Sequence, residues 1–212
     1  MHKVEVWGDY ACFTRPELKV ERVSYDVMTP SAARGILEAV FWKPAIKYKI
    51  LEIAVCEPIV FENIRRNEVN HIARSTTPLI ATEERAQRAA MVLRNVRYVI
   101  TARFDITDQA GPGDNEGKFA DIIRRRLEKG QNFHTPYFGT REFPANIRAV
   151  TDETMPMPIN ETRDLGLMLY DMDYITEKDQ NGETIVKEFL PKYFRAQMNQ
   201  GVIDLRNVEV LR

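Results

Sequence analysis

Histidine and cysteine are scarce in this chain: three histidines, His2, His71 and His134, and two cysteines, Cys12 and Cys56, among 212 residues. The histidines lie far apart in sequence, which argues against a histidine metal site and leaves carboxylates as weak holders of a divalent ion at most. The cysteines are too few and too distant for a zinc knuckle or a disulfide framework, so both read as reduced core thiols. No stretch approaches the roughly 18 apolar residues of a spanning helix, and Met1 to Tyr10 carries charges without a signal-length apolar run. The expectation is therefore a soluble cytoplasmic protein with no membrane partner. An excess of one charge is missing too: 30 Lys and Arg stand against 31 Asp and Glu. Net charge gives no sign of a nucleic-acid partner, so any basic surface has to come from arrangement. There is no Walker loop, G-x-S-x-G elbow, H-E-x-x-H helix or dinucleotide glycine fingerprint, and no solenoid repeat or low-complexity tract.

What is present suffices for a core, with 44% hydrophobic residues, and the length suits one main domain with an appendage. Lys3 to Trp7 alternates and precedes Gly8-Asp9, which reads as a strand ending in a turn. A loop with Thr14-Arg15-Pro16 and Lys19 to Arg22 follows. Thr29-Pro30-Ser31 starts a helix over residues 30 to 41, with Ala33, Ile36, Leu37 and Val40 as its buried stripe. Ile46 to Val60 suggests one or two strands, limited by Pro58. Within residues 62–90 the segment Asn63 to Thr82 is polar, holds Arg65, Arg66, His71 and Arg74, and reads as an inserted hairpin or loop that could close over a ligand.

Tyr98, Ile100, Ala102 and Phe104 then fall on one side of a strand, with Arg97, Thr101, Arg103 and Asp105 on the other, which predicts a half-exposed sheet. After the Gly111 to Asn115 breaker, Phe119, Ile122, Ile123 and Leu127 mark a second helix ending at Gly130. Strand, helix, strand, strand, helix, strand is the order of a ferredoxin-like (RRM-like) α+β domain, placed at residues 1–150. Met155-Pro156-Met157-Pro158 reads as a linker, and the alternation from Gly166 to Tyr174 with the Asn181-Gly182 turn predicts a small C-terminal β domain over residues 151–212.

Four segments acquire meaning together. They are Trp7 to Pro16; Val23 to Val27 running into Thr29-Pro30-Ser31-Ala32-Ala33-Arg34-Gly35-Ile36; Phe41-Trp42-Lys43-Pro44; and Asn115-Glu116-Gly117-Lys118-Phe119 with Phe138-Gly139-Thr140-Arg141-Glu142-Phe143. In order and spacing this set resembles the fifth CRISPR-associated (Cas) family in its subtype I-C form, within the RAMP superfamily. The resemblance runs to about residue 145 and loosens beyond. It implies an RNA-binding subunit of the Cascade complex that holds the stem-loop and 5′ handle of CRISPR RNA. The backbone and large subunits would be its partners, and target DNA would be met only through the complex. It also implies endoribonuclease activity without metal or other cofactor: the RNA 2′-hydroxyl attacks the adjacent phosphate, which calls for a base, an acid and a cation.

By the same resemblance a Tyr or His is expected just before Trp-Lys-Pro, and a Lys-His pair at the start of the second helix. Phe41 stands at the first position, and Lys118 followed by Phe119 at the second. The cation is kept; both proton-transfer positions are phenylalanine, whose simplest reading is core packing, with base stacking as the alternative. His134 is a candidate replacement base. Arg15, Arg22, Arg34, Lys43, Arg65, Arg66, Arg125, Arg126 and Arg141 are candidate phosphate contacts, each with a surface salt bridge as its competing role. Trp42 reads as packing under the helix end. Three functions stay open: a repeat-processing nuclease, a non-cutting cap on the guide RNA, and an assembly subunit.

Overall fold

The computed structural model describes residues 1–18, 20–69, 71, 78–178 and 184–212. The alternating run that opens the chain forms β1 (His2–Ala11), with Val4 and Val6 fully buried on one face. β1 passes straight through Gly8-Asp9, where the sequence suggested a turn. The Phe138 ring and the Pro144 carbonyl each approach to 2.9 Å from where a Gly8 Cβ would stand. Gly8 thus serves close packing inside a strand rather than chain reversal. Lys19, in the loop that follows, lies outside the described residues.

Helix α1 (Pro30–Val40) begins where the capping chemistry puts it: Thr29 Oγ1 accepts the Ala32 N–H at 3.2 Å, and Pro30 occupies the first turn. Ala33, Ile36, Leu37 and Val40 are buried as one stripe. β2 (Ile46–Val55), β3 (Phe61–Val69) and β4 (Arg85–Ile106) follow. Helix α2 (Glu116–Glu128) is capped by Asn115, whose side chain accepts the Lys118 N–H, and the chain leaves it through Gly130 at φ +63°. β5 (Asn146–Ala149) completes the domain.

The strands run antiparallel in the order β5-β1-β4-β2, the ferredoxin-like arrangement expected from the element order. β4 is long enough for two tasks. Its first half pairs with β3, making the 62–90 insertion a hairpin continuous with the central strand; its second half lies between β1 and β2. Arg74 lies outside the described residues.

Tyr98, Ile100, Ala102 and Phe104 are buried on the helix-covered face of β4, as their alternation predicts. The opposite face is open only in part: Arg103 and Asp105 are exposed, as their alternation predicts, and the rest is covered. Val99, Thr101, Ala54 and Glu5 there are 2% exposed or less. The supposed linker is the reason: Val150 is hydrogen-bonded to Lys3 in β1, Cys56 Sγ contacts the Pro156 carbonyl, and Ile159 N–H donates to Val55 O at the end of β2. Residues 151–159 therefore cross the sheet from one edge to the other. Buried Glu5 is held there by Arg97 at 2.9 Å and Arg148 at 2.5 Å, as a buried carboxylate requires.

β6 (Arg163–Lys178) and β7 (Thr184–Met198) form a two-stranded antiparallel sheet, and β8 (Val202–Asp204) adds to the β2 edge of the main sheet. The Asn181-Gly182 turn lies outside the described residues. At their inner ends Leu165, Met168, Leu169, Phe194, Ala196 and Met198 join the same hydrophobic core as the main sheet.

Candidate active site

The motif residues converge where the C-terminal end of α1 meets α2. Phe41 caps α1, and its ring packs 5.9 Å from that of Phe119 on the first turn of α2. Phe104 closes the cluster at 6.4 Å from Phe119. Phe41 is 5% exposed and Phe119 0%, so both rings belong to the core and neither is placed to stack on an RNA base.

Cations ring this apolar plug. Arg126 reaches from α2 to donate to Val40 O at 2.5 Å, with its guanidinium 5.1 Å from the Phe41 ring centre. A cation at a helix C-terminus satisfies an orphan carbonyl and offsets the helix dipole. The ammonium groups of Lys43 and Lys118 lie 5.9 and 5.8 Å from the Phe119 ring centre. Lys118 is held by Asp114 at 2.9 Å and by the Gly113 carbonyl at 3.3 Å. That ammonium, together with the Gly111 N–H, keeps the Asp114 carboxyl below its usual range. Tyr48 donates to the Phe41 carbonyl at 2.9 Å. Burial, with Glu38 adding to it, pushes this phenol well above its ordinary value, so it remains a fixed hydrogen-bond donor.

A loop after α2 borders the cluster. Phe133 N–H donates to Ala39 O at 2.8 Å, fastening the loop to the last turn of α1. This places exposed His134 beside the α1 terminus. Its ring stacks on Tyr137, with centres 6.4 Å apart and planes 29° from parallel, and sits edge-on to Phe133 at 6.1 Å. Phe133 itself is 83% exposed, and Trp42 56%. Trp42 therefore does not pack under the helix end; Arg126 and the 133–134 amides occupy the carbonyls there.

Residues 2–206 match the family described as CRISPR-associated protein (Cas_Cas5). The chain belongs to this family. A CRISPR pre-crRNA endoribonuclease Cas5d of Mannheimia succiniciproducens is 45% identical, over 96% of this chain and 93% of the relative. One of the same name from Thermus thermophilus is 40% identical, over 96% and 90%. A solved structure titled as a CRISPR-associated protein superposes with a TM-score of 0.70 at 21% identity, covering 100% of this chain and 96% of the other, and so shares the fold.

In this Cas5 chain the cationic candidates fall into two groups. Arg22 pairs with Glu68 at 2.6 Å, Arg34 with Glu38 at 2.7 Å and Asp171 at 2.8 Å, and Arg66 with Glu142 while covering the Phe143 ring. Arg15 lies 4.5 Å over the Tyr25 ring. Arg65, Arg125 and Arg141 are exposed and form no ion pair among the described residues. The Cas5 fold thus gathers Phe41, Phe119, Lys43, Lys118, Arg126 and His134 into one region, and leaves Arg15, Arg22, Arg34, Arg65, Arg66 and Arg141 in other parts of the molecule or already facing partners of their own. Sequence reading passed over Phe133, Tyr137 and Asp114. The aromatic spacing after Gly130 was the only signal for the first two, and the i, i+4 relation to Lys118 for the third.

Proposed function

We propose that this Cas5 protein binds the repeat-derived stem-loop and 5′ handle of CRISPR RNA and cuts the precursor without metal. The identity of 45% and 40% along nearly the whole chain to two proteins named pre-crRNA endoribonucleases carries this reading. The 2′-hydroxyl at the scissile nucleotide attacks its own phosphate, the bond to the 5′ oxygen breaks, and the products end in a 2′,3′-cyclic phosphate and a 5′-hydroxyl. Lys118 and Lys43 balance the charge that builds on the phosphate oxygens. His134 is the imidazole available to move the proton. Lys43 and Arg126 hold phosphates beside the α1 terminus, and exposed Arg65, Arg125 and Arg141 hold phosphates elsewhere along the RNA. Residues 1–150 carry this work, while within residues 151–212 β6 and β7 form a small β appendage on the same core and β8 extends the main sheet. The setting is a cytoplasmic Cascade complex of type I-C, whose backbone and large subunits the protein meets, with target DNA reached only through the assembly.

The test is incubation of purified protein with its own repeat RNA in a chelator, followed by end-group analysis. Cleavage at one bond with a cyclic phosphate is the expected result; intact RNA under conditions of tight binding sinks the nuclease reading. A second reading rests on one observation: the rings of Phe41 and Phe119 sit in the core where proton-transfer groups were expected. On that reading the chain is a non-cutting cap on the guide RNA, and site-specific cutting by the wild-type protein refutes it.

A further inference from the structure

At the other end of α1 lies a cavity of about 280 Å³. It is walled by α1, the Tyr137-to-Gly139 loop and β6. Phe13, Tyr137 and Tyr174 give it aromatic surfaces, Thr14 and Ser31 give it hydroxyls, and Gly35 lies on its helical wall. The size is at the low end for ligand pockets, suited to one planar ring system and not to a helix.

One observation indicates that the space is meant for something outside this chain. Gly35 sits in the middle of α1, where glycine costs roughly 1 kcal/mol relative to alanine. Apart from its chain neighbours and the backbone of its own helix, no heavy atom lies within 4 Å of where its Cβ would stand. Neither packing nor backbone conformation demands the glycine, so what it preserves is open volume. Arg34, on the same wall, is committed to Glu38 and Asp171, and its Nε–H is closed off from the cavity.

The cavity also connects to the candidate active site. Phe133, His134 and Tyr137 form an unbroken series of ring contacts at 6.1 and 6.4 Å, starting beside the α1 C-terminus and ending at Tyr137 on the cavity wall. Exposed aromatics in series beside cations suit the faces of unpaired bases.

We infer that this cavity receives one unpaired nucleobase of the bound RNA, splayed out of the strand that passes along Phe133 and His134. The inference rests on the RNA-binding reading above and adds a base-binding subsite apart from the cutting chemistry. Tyr174 and Tyr137 offer stacking surfaces, and the Thr14 and Ser31 hydroxyls offer hydrogen bonds to the base edge.

The experiment measures affinity for the protein's own repeat hairpin carrying a single-stranded flank. Flank sugars are 2′-deoxy to block cutting, and an abasic residue is stepped through the flank. With wild-type protein, one abasic position is expected to weaken binding about tenfold, the magnitude of one aromatic–base stack, while its neighbours change it little. Gly35→Leu fills the cavity from a helical position that favours leucine over glycine. It is expected to bind the intact RNA about tenfold more weakly and to lose all sensitivity to the abasic position. Tyr174→Ala should act in the same direction and Tyr174→Phe should restore binding, which gives a second route if the leucine variant folds poorly.

Wild-type affinity for intact RNA in both Gly35→Leu and Tyr174→Ala overturns the inference; so does an unchanged abasic profile in either. That outcome includes a cavity that seats a side chain of a partner subunit. A wild-type protein with no preference for the repeat hairpin over unrelated RNA overturns the RNA-binding reading and the subsite with it, and is recognised by the absence of any signal before a variant is compared.

Discussion

Phe119 is where the two physical accounts of the family motif part, and its truncation separates them. As a core residue it is 0% exposed and packs against the rings of Phe41 and Phe104. Phe119→Ala removes that ring from the contact between α2 and the sheet, losing its transfer free energy and leaving a cavity. Such changes cost about 3–5 kcal/mol. For a chain of this length, 1 kcal/mol moves the melting temperature by about 2–4 °C, so a fall of about 6–20 °C is expected by calorimetry or circular dichroism. Phe119→Leu keeps most of the volume and should cost about 1 kcal/mol. Repeat-RNA affinity, measured well below the melting temperature, should change less than threefold or so in the leucine variant. If the ring instead served as a platform for a base, truncation would leave the melting temperature within about 2 °C and cut RNA affinity by about tenfold or more. That result would refute the packing argument and restore stacking at this position.

Lys118→Ala should slow cleavage by about a hundredfold in single-turnover assays, the usual loss for one charge-stabilising donor, with a much smaller change in affinity. The partner of Lys118 adds a pH dependence. The Asp114 carboxyl is lowered in the folded protein, chiefly by the Lys118 hydrogen bond, so its stabilising contribution is complete above the ordinary aspartate value of 3.8 and disappears as pH falls through the lower folded value. An acid-unfolding titration of Asp114→Asn should therefore lack that component, and an identical curve would show that the pair is energetically silent. Phe41→Tyr combined with Phe119→His restores proton-transfer groups beside Lys43 and Lys118. It should raise cleavage at least tenfold if those groups are what limits the rate; no increase in a folded variant would locate the limit elsewhere. Burial raises the Cys56 thiol to about 11, so at pH 8 only about one part in a thousand is thiolate, and maleimide labelling of the native protein should be slow and rise steeply with pH.

Much of the main domain was legible because its elements are specified locally. Thr29-Pro30 starts α1 through a side-chain cap and a preset φ, Asn115 does the same for α2, and two-residue alternation in β4 separates Tyr98, Ile100, Ala102 and Phe104 from their neighbours. The motif segments were legible too, because their order survives in the chain whatever the tertiary structure does with them.

Other features depend on residues far away in sequence. Gly8 looked like a turn because glycine often is one; only the approach of Phe138 and Pro144 shows that it clears room inside a strand. Proline-rich residues 155–158 carry no signal that they lie against the sheet, since the contacts with Lys3, Cys56 and Val55 come from strands formed about a hundred residues earlier or more. Trp42 could not be assigned to solvent before Arg126 was seen to take the carbonyl beside it.

Element order, helix ends, the family motifs and the presence of phenylalanine at positions 41 and 119 could be read from the chain alone, because caps, periodicity and residue identity act over a few neighbouring residues. Packing alone revealed which part of the outer sheet face is covered, which arginines are already neutralised, and how Tyr137 links His134 to the cavity beside Gly35. Burial and charge pairing are properties of the surroundings, and in this fold most of those surroundings arrive from the other end of the chain.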